Sequence, residues 1–380
     1  MDLYLASKRK PTKMAPKNGK KAVKSVQSNG VPALVSREMN WVTEFKQKCK
    51  TKDEQKEWAR ATLEVQDETG ESKKEESAKK PECEITPDEM LERGLVMCQV
   101  DVDKQARSSR KSNVESFRAE FGPDPKVLVE IWHDLQTTNV EAARIDVTKR
   151  GVTVENYLIA FNFLKRYQKS KVQGNRFNRA KNTILKWRWH FVDRIKALVD
   201  EKIVWPKEWS DGSDVPTLLF TVDGVHFQRN EPTHGRWSKN PKHCSHKFKR
   251  SAVNYEIAIH LYDSKVVHFR GPSKASTPDI TIFREELINK IPAGHFCIGD
   301  KGYLGEIDKI MTPNSHDTPE VRKFKGRARA RHETFNKMLK RFECLDERHI
   351  HKEPQQATIF EAVLVICQYQ MDNGEPLFDV

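Results

Sequence analysis

Residues 217–227 read TLLFTVDGVHF, and residues 295–305 read HFCIGDKGYLG. Each is a short run of apolar and β-branched residues bounded by turn-forming ones, the pattern of a buried strand. Each run also ends on an acid with glycine close by: Asp223 before Gly224, and Asp300 between Gly299 and Gly302. A strand of this kind delivers a charged side chain to the C-terminal edge of a sheet, and the glycine lets the chain turn away at once. A single Asp beside Gly is a common turn. Two such ends in one sheet are what a shared metal site needs.

Working outward, 254–260 (NYEIAIH) and 266–269 (VVHF) read as strands between the first two. Residues 279–288 read as a helix with Pro278 and Asp279 at its start, and helices are expected over 327–345 and 357–370. Three strands, a helix, a strand and then helices is the order of a ribonuclease-H-like α/β domain, a mixed sheet with flanking helices. This domain is expected to span 206–380.

The stretch before it has a helical period. In SFRAEFGPDPKVLVEIWHDLQTT, which begins at Ser116, Val127, Ile131, Trp132 and Leu135 share a face behind an Asp124-Pro125 start. Val154, Leu158, Phe161 and Leu164 mark a second helix, and Ile184, Phe191, Ile195 and Leu198 a third. Short helices with tight connections predict a small all-α, helix-turn-helix-like domain over 116–205. Residues 1–115 are expected to be largely disordered: a basic arm over the first thirty residues, one amphipathic helix over 37–63, and a Glu, Lys, Ser and Pro-rich linker from Asp67 to about Asp88. Order is expected to begin near Ser116.

Lys plus Arg outnumber Asp plus Glu by 67 to 54, a net +13, which suits a polyanionic partner. Between Lys149 and Asp200 stand thirteen Lys or Arg against three acids, where a solvated helix face would interleave both signs. Arg176, Arg179, Lys181, Lys186 and Arg188 are the expected DNA contacts in this segment. Between Arg236 and Arg250 come Arg236, Lys239, Lys242, Lys247, Lys249 and Arg250 with no acid, which suits a hairpin lying against a phosphate backbone. The longest apolar run near the C-terminus, Ala362–Cys367, is far short of the ~20 residues a bilayer needs, and the opening residues do not read as a secretory signal. Lys8-Arg9-Lys10-Pro11 resembles a nuclear import signal, and the expected address is the nucleus, after synthesis in the cytoplasm. Seven scattered cysteines without a C-x-x-C pair argue against a disulfide framework.

A third carboxylate stands in RARARHETFNKMLKRFECL. Helical spacing places Phe335, Met338, Leu339 and Phe342 on the buried stripe and leaves Glu333 off it. Taken alone, Glu333 with Lys337 at i+4 is an ordinary exposed ion pair. Together, Asp223, Asp300 and Glu333 can hold one or two Mg²⁺ or Mn²⁺ ions, hard cations that accept carboxylates and keep waters. Two ions ~3.5–4 Å apart serve the attacking and leaving oxygens of an in-line phosphoryl displacement. The competing zinc reading of His243-Cys244-x-His246 matches no common closed site.

The stretches VDGVHF, SHKFKRSAVNYEIAI, GPSKASTPDITIFRE, CIGDKGYLG and RARHETFNKMLKRFECL resemble, in order and spacing, the DDE superfamily endonucleases of the PIF/Harbinger transposase kind. The resemblance runs from about Ser116 to the C-terminus. It implies a transposase: metal-dependent DNA cutting, with transfer of the freed 3′-hydroxyl to target DNA. The catalytic carboxylates then map onto Asp223, Asp300 and Glu333. Asp279 also falls in a recurrent position, but its place at a helix start gives it a capping role, so it stands as a minor alternative. The implied partners are double-stranded DNA as element ends and target, a homo-oligomer assembled on DNA, and a separate DNA-binding helper. Two other readings stay open: a host-recruited protein that keeps the fold to bind DNA without cutting, and a structure-specific repair nuclease.

Overall fold

The computed structural model describes residues 85–100, 107–209, 217–231 and 240–380, all within the unit Glu57–Val380. The basic arm, the helix expected over 37–63, the bulk of the linker, Arg236 and Lys239 lie outside the described residues.

Order begins earlier than the expected Ser116. Helix α1 spans Pro87–Met97 and α2 spans Arg110–Phe121. The signal for α1 is a capping box: Thr86 accepts from the Glu89 N–H, Glu89 reaches back to the Thr86 N–H, and Pro87 takes the first helical position. Met90, Leu91 and Leu95 are buried, which anchors a helix within the stretch 1–115 expected to be largely disordered.

The three expected helices follow as α3 (Pro125–Thr137, with Asp124 accepting from the Lys126 N–H), α4 (Val154–Arg166) and α6 (Lys181–Lys196), and two short ones absent from the sequence expectation accompany them, α5 (Ser170–Arg176) and α7 (Val199–Lys202). Ten of the thirteen residues of α4 are buried, so it runs through the middle of the helical part.

The mixed sheet has six strands: β1 (Thr217–Gln228), β2 (Cys244–Ser245), β3 (Arg250–His260), β4 (Val266–Lys274), β5 (His295–Ile298) and β6 (Ile310–Met311). β3 pairs antiparallel with β1, and β2 and β4 pair antiparallel with β3. On the other side β5 lies parallel to β1, and β6 parallel to β5. The two-residue strands β2 and β6 have no periodicity to read and are absent from the sequence expectation.

Helices cover both faces, as the ribonuclease-H-like pattern expects. Over one face pack Phe283 and Leu287 from α8 (Asp279–Glu285) and α9 (Leu287–Lys290), with Tyr303, against Phe220, Val222 and Ala258. Over the other, Phe335, Met338 and Leu339 of α10 (Pro319–Lys340) and Phe360 of α12 (Glu353–Asp372) meet Val225, Phe227, Tyr255 and Ile257; the short α11 (Glu343–Asp346) joins them. This second cluster continues without a break into Trp132, Tyr157, Phe161 and Phe191 of the helical part. Burying apolar area at ~25 cal/mol per Å² is the main force holding helices and sheet as one body. No helix among the described residues is long and apolar enough to cross a membrane.

Candidate active site

Asp223 does not end its strand. β1 runs on to Gln228 because β3 keeps pairing with it, Asp223 opposite Ile257 and Gly224 opposite Glu256. What stops near Asp223 is β5, whose last pair with β1 is Thr221↔Ile298. Two residues beyond that pair on each strand stand Asp223 and Asp300, side by side where two parallel strands part. What places these two aspartates together is the end of the β1–β5 ladder and not a turn after Asp223.

Asp300 caps a single 3₁₀ turn, its Oδ1 accepting from the Gly302 N–H at 2.6 Å. Asp223 accepts from the Gly224 N–H through Oδ1 at 2.9 Å and from Asn336 Nδ2 of α10 through Oδ2 at 3.0 Å.

Asp279 has a different role from the capping one expected of it. No side chain caps the start of α8. Its Oδ1 instead accepts from Asn254 Nδ2 of β3 at 2.8 Å. The carboxylate lies so close to two glycines that a side chain on either would have to displace it. A Cβ on Gly224 would stand 2.3 Å from Asp279 Oδ1, and one on Gly302 would stand 3.0 Å from Asp279 Oδ2 and 2.9 Å from Asp300 Oδ1. Gly224 therefore serves close approach, not the turn read from the sequence.

Three aspartates thus converge from β1, α8 and the end of β5. Burial pushes the Asp223 carboxyl up to about 6; Asp300 and Asp279 add to the rise while the Lys247 ammonium opposes it. Glu333 is not drawn in. It is exposed on α10, one turn before Asn336, and it is Asn336 that touches Asp223. Among the described residues no three Asp, Glu, His or Cys side chains form a ready metal-holding group. The donor set is nevertheless all carboxylate oxygen with amide support, which fits a hard divalent cation bound by one or two carboxylates and several waters.

Sequence reasoning missed Glu256. It is fully buried on β3, and burial pushes its carboxyl up to about 8, opposed by the adjacent Tyr303 hydroxyl and reinforced by Asp279. Its signal was present: Asn254 and Glu256 are polar residues two apart in an otherwise apolar strand, hence on one face of the sheet.

The basic residues separate into two groups. Arg188 is 1% exposed, donates to Gln173 Oε1 at 2.7 Å and to the Gln168 carbonyl, and lies 4.0 Å over the Phe163 ring. It is a core residue, which corrects its expected DNA contact. Arg176 pairs with Glu120 at 2.8 Å. Arg179, Lys181 and Lys186 are exposed around the start of α6, where no acid occupies the first turn, and Lys186 rests on the Trp187 ring. Lys242, Lys247, Lys249 and Arg250 are exposed about β2 and the start of β3.

Residues 222–368 match the family described as DDE superfamily endonuclease. The matched segment begins one residue before Asp223 and takes in Asp279, Asp300, Glu333 and Asn336. A solved structure, "Mos1 transposase paired-end complex with left transposon end", aligns over 77% of this chain and 100% of its own at 10% identity, with a TM-score of 0.18. No curated protein sequence matches the chain.

Proposed function

We propose that this chain is a transposase-like, divalent-metal-dependent DNA endonuclease, in which Asp223, Asp300 and Asp279 hold one or two Mg²⁺ or Mn²⁺ ions, with Glu333, exposed on α10 outside that cluster, the fourth carboxylate to be tested. The observation that carries this reading is the convergence of three aspartates from β1, α8 and the turn after β5 inside the segment that matches the DDE endonuclease family. A divalent ion there supplies charge stabilisation for an in-line displacement at phosphorus.

The chain's own residues do the rest. Asn336 and Asn254 each hold one carboxylate by a single amide hydrogen bond, fixing which oxygen faces the cluster. Arg179, Lys181 and Lys186, with Lys242, Lys249 and Arg250, supply phosphate contacts along duplex DNA, a sequence-independent attraction that releases counterions. On this reading residues 116–205 are the DNA-binding part, helix-turn-helix-like in α5–α6, and 206–380 the catalytic part. Water is the nucleophile for cutting, and the freed 3′-hydroxyl the nucleophile for joining to target DNA. Element ends as substrate, assembly on paired ends and work in the nucleus complete the proposal.

The test is cutting of an end-labelled duplex with Mn²⁺ by the parent and by Asp223→Asn, Asp279→Asn, Asp300→Asn and Glu333→Gln. Loss of cutting in the aspartate variants, with 3′-hydroxyl ends on the parent's products, supports the reading. Cutting by all four at the parent's rate would overturn it.

A further inference from the structure

Lys247 stands apart from the other basic residues of its hairpin because it is built into the carboxylate site. Its Nζ donates to the carbonyl oxygen of Gly224, the residue after Asp223, at 3.0 Å. Its charge favours the ionised Asp223 carboxyl, against burial and the neighbouring Asp300 and Asp279.

The turn that presents it is held rigidly. Ser245 is fully buried, its Oγ accepts from the Lys247 and Phe248 N–H groups at 3.2 and 3.3 Å, and it hydrogen-bonds His226 Nδ1 on β1 at 2.7 Å. Lys249, at φ +54°, closes the turn in the left-handed region. Lys340 of α10 lies 5.8 Å from the Phe248 ring on the same side. Strand β1 and the β2–β3 turn therefore hold one ammonium beside Asp223. A lysine that served only to grip DNA along its length would not need a buried Ser–His anchor or a carbonyl ligand from the active-site strand.

We infer that Lys247 is a catalytic residue that donates to a non-bridging oxygen of the scissile phosphate. Its one carbonyl bond leaves ammonium protons for that oxygen, and its fixed charge stabilises the phosphorane-like transition state without rearrangement. The inference rests on the nuclease reading above. The bland alternative is a counter-ion that merely offsets the aspartates.

The two differ in what they change. Loss of a counter-ion alters the pH and metal concentration needed for activity, and raising either restores the rate. Loss of a transition-state donor lowers the maximal rate itself, by about 100-fold. The experiment measures nicking by the full chain at saturating Mn²⁺ and DNA, for the parent, Asp300→Asn, Lys247→Ala and Lys247→Arg, with and without ethylammonium. The expected result is a loss of about 100-fold in Lys247→Ala, partial rescue by ethylammonium, and a loss of about tenfold in Lys247→Arg, whose bulkier fork displaces the donor. If Lys247→Ala does not fold, the Lys247→Arg rate decides. Parent-like maximal rates in the Lys247 variants, with cutting still lost in Asp300→Asn, would overturn this inference alone. No Mn²⁺-dependent cutting by the parent would overturn the nuclease reading and the inference together.

Discussion

Asn336 on α10 donates its amide to Asp223 Oδ2 on β1 at 3.0 Å, across 113 residues of sequence. This bond joins the long helix α10 to the strand that carries the first carboxylate. Replacing Asn336 by Ala leaves Asp223 with one fewer donor in a largely desolvated position. The expected cost is about 1–3 kcal/mol of stability. The Mn²⁺ concentration for half-maximal nicking should rise about tenfold, as for other residues that orient metal ligands. Thermal melting and a metal titration measure the two effects separately.

Glu256 gives a pH signature. Its folded-state value of about 8 lies above the ordinary 4.5, so the folded protein keeps this proton after the unfolded chain has lost it. Stability therefore falls as pH rises from about 4.5 to about 8, and the loss is complete above that. Glu256→Gln should melt as the parent does at pH 4 and be more stable by about 2–4 kcal/mol at pH 9. Equal melting at both pH values would remove Glu256 from the account.

Gly302 is the gap between two carboxylates. A methyl there would stand 2.9 Å from Asp300 Oδ1 and 3.0 Å from Asp279 Oδ2, tighter than carbon and oxygen accept. Gly302→Ala is expected to push the two aspartates apart and lower nicking by about tenfold or more, with a melting temperature near the parent's. Misplacement of a reacting group by about 1 Å can cost about 100-fold. Parent-like nicking by Gly302→Ala would mean that the spacing of Asp279 and Asp300 is unimportant.

Arg188 and Lys181 should behave oppositely. Arg188→Ala removes a buried side chain hydrogen-bonded to Gln173 and is expected to cost about 2–4 kcal/mol, with no change in the salt dependence of DNA binding once the protein is folded. Lys181→Ala should leave stability intact and reduce the slope of log affinity against log salt by about 0.9. A fluorescence-anisotropy salt titration with a duplex distinguishes them.

The legible part of this fold is the part written in local pattern. Strands around 217–222 and 295–298 announce themselves as apolar runs, and the helices from Pro125 onward by their period and caps. Asp223 and Asp300 are legible for the same reason, since each follows such a run. Asp279 reads as a capping acid because a helix start supplies a sufficient local role, whereas its partner Asn254 and its close neighbour Gly302 come from β3 and the turn after β5. Arg188 was misread because counting charges ignores phase: it sits four residues after Ile184 and three before Phe191, on the apolar stripe of α6. Helix α1 was overlooked although Thr86, Pro87 and Glu89 spell its cap. Glu333 shows the limit of pattern from the other side, since one face of α10 carries both it and Asn336 and only packing decides which of them meets Asp223.

The most direct test is nicking of supercoiled plasmid by the parent and by Asp300→Asn, purified side by side, each with Mn²⁺ and with EDTA. The expected result is nicked circles from the parent with Mn²⁺ alone, and none from Asp300→Asn under either condition. Equal nicking by the two proteins, or nicking by the parent that survives EDTA, would contradict a metal site built on these aspartates.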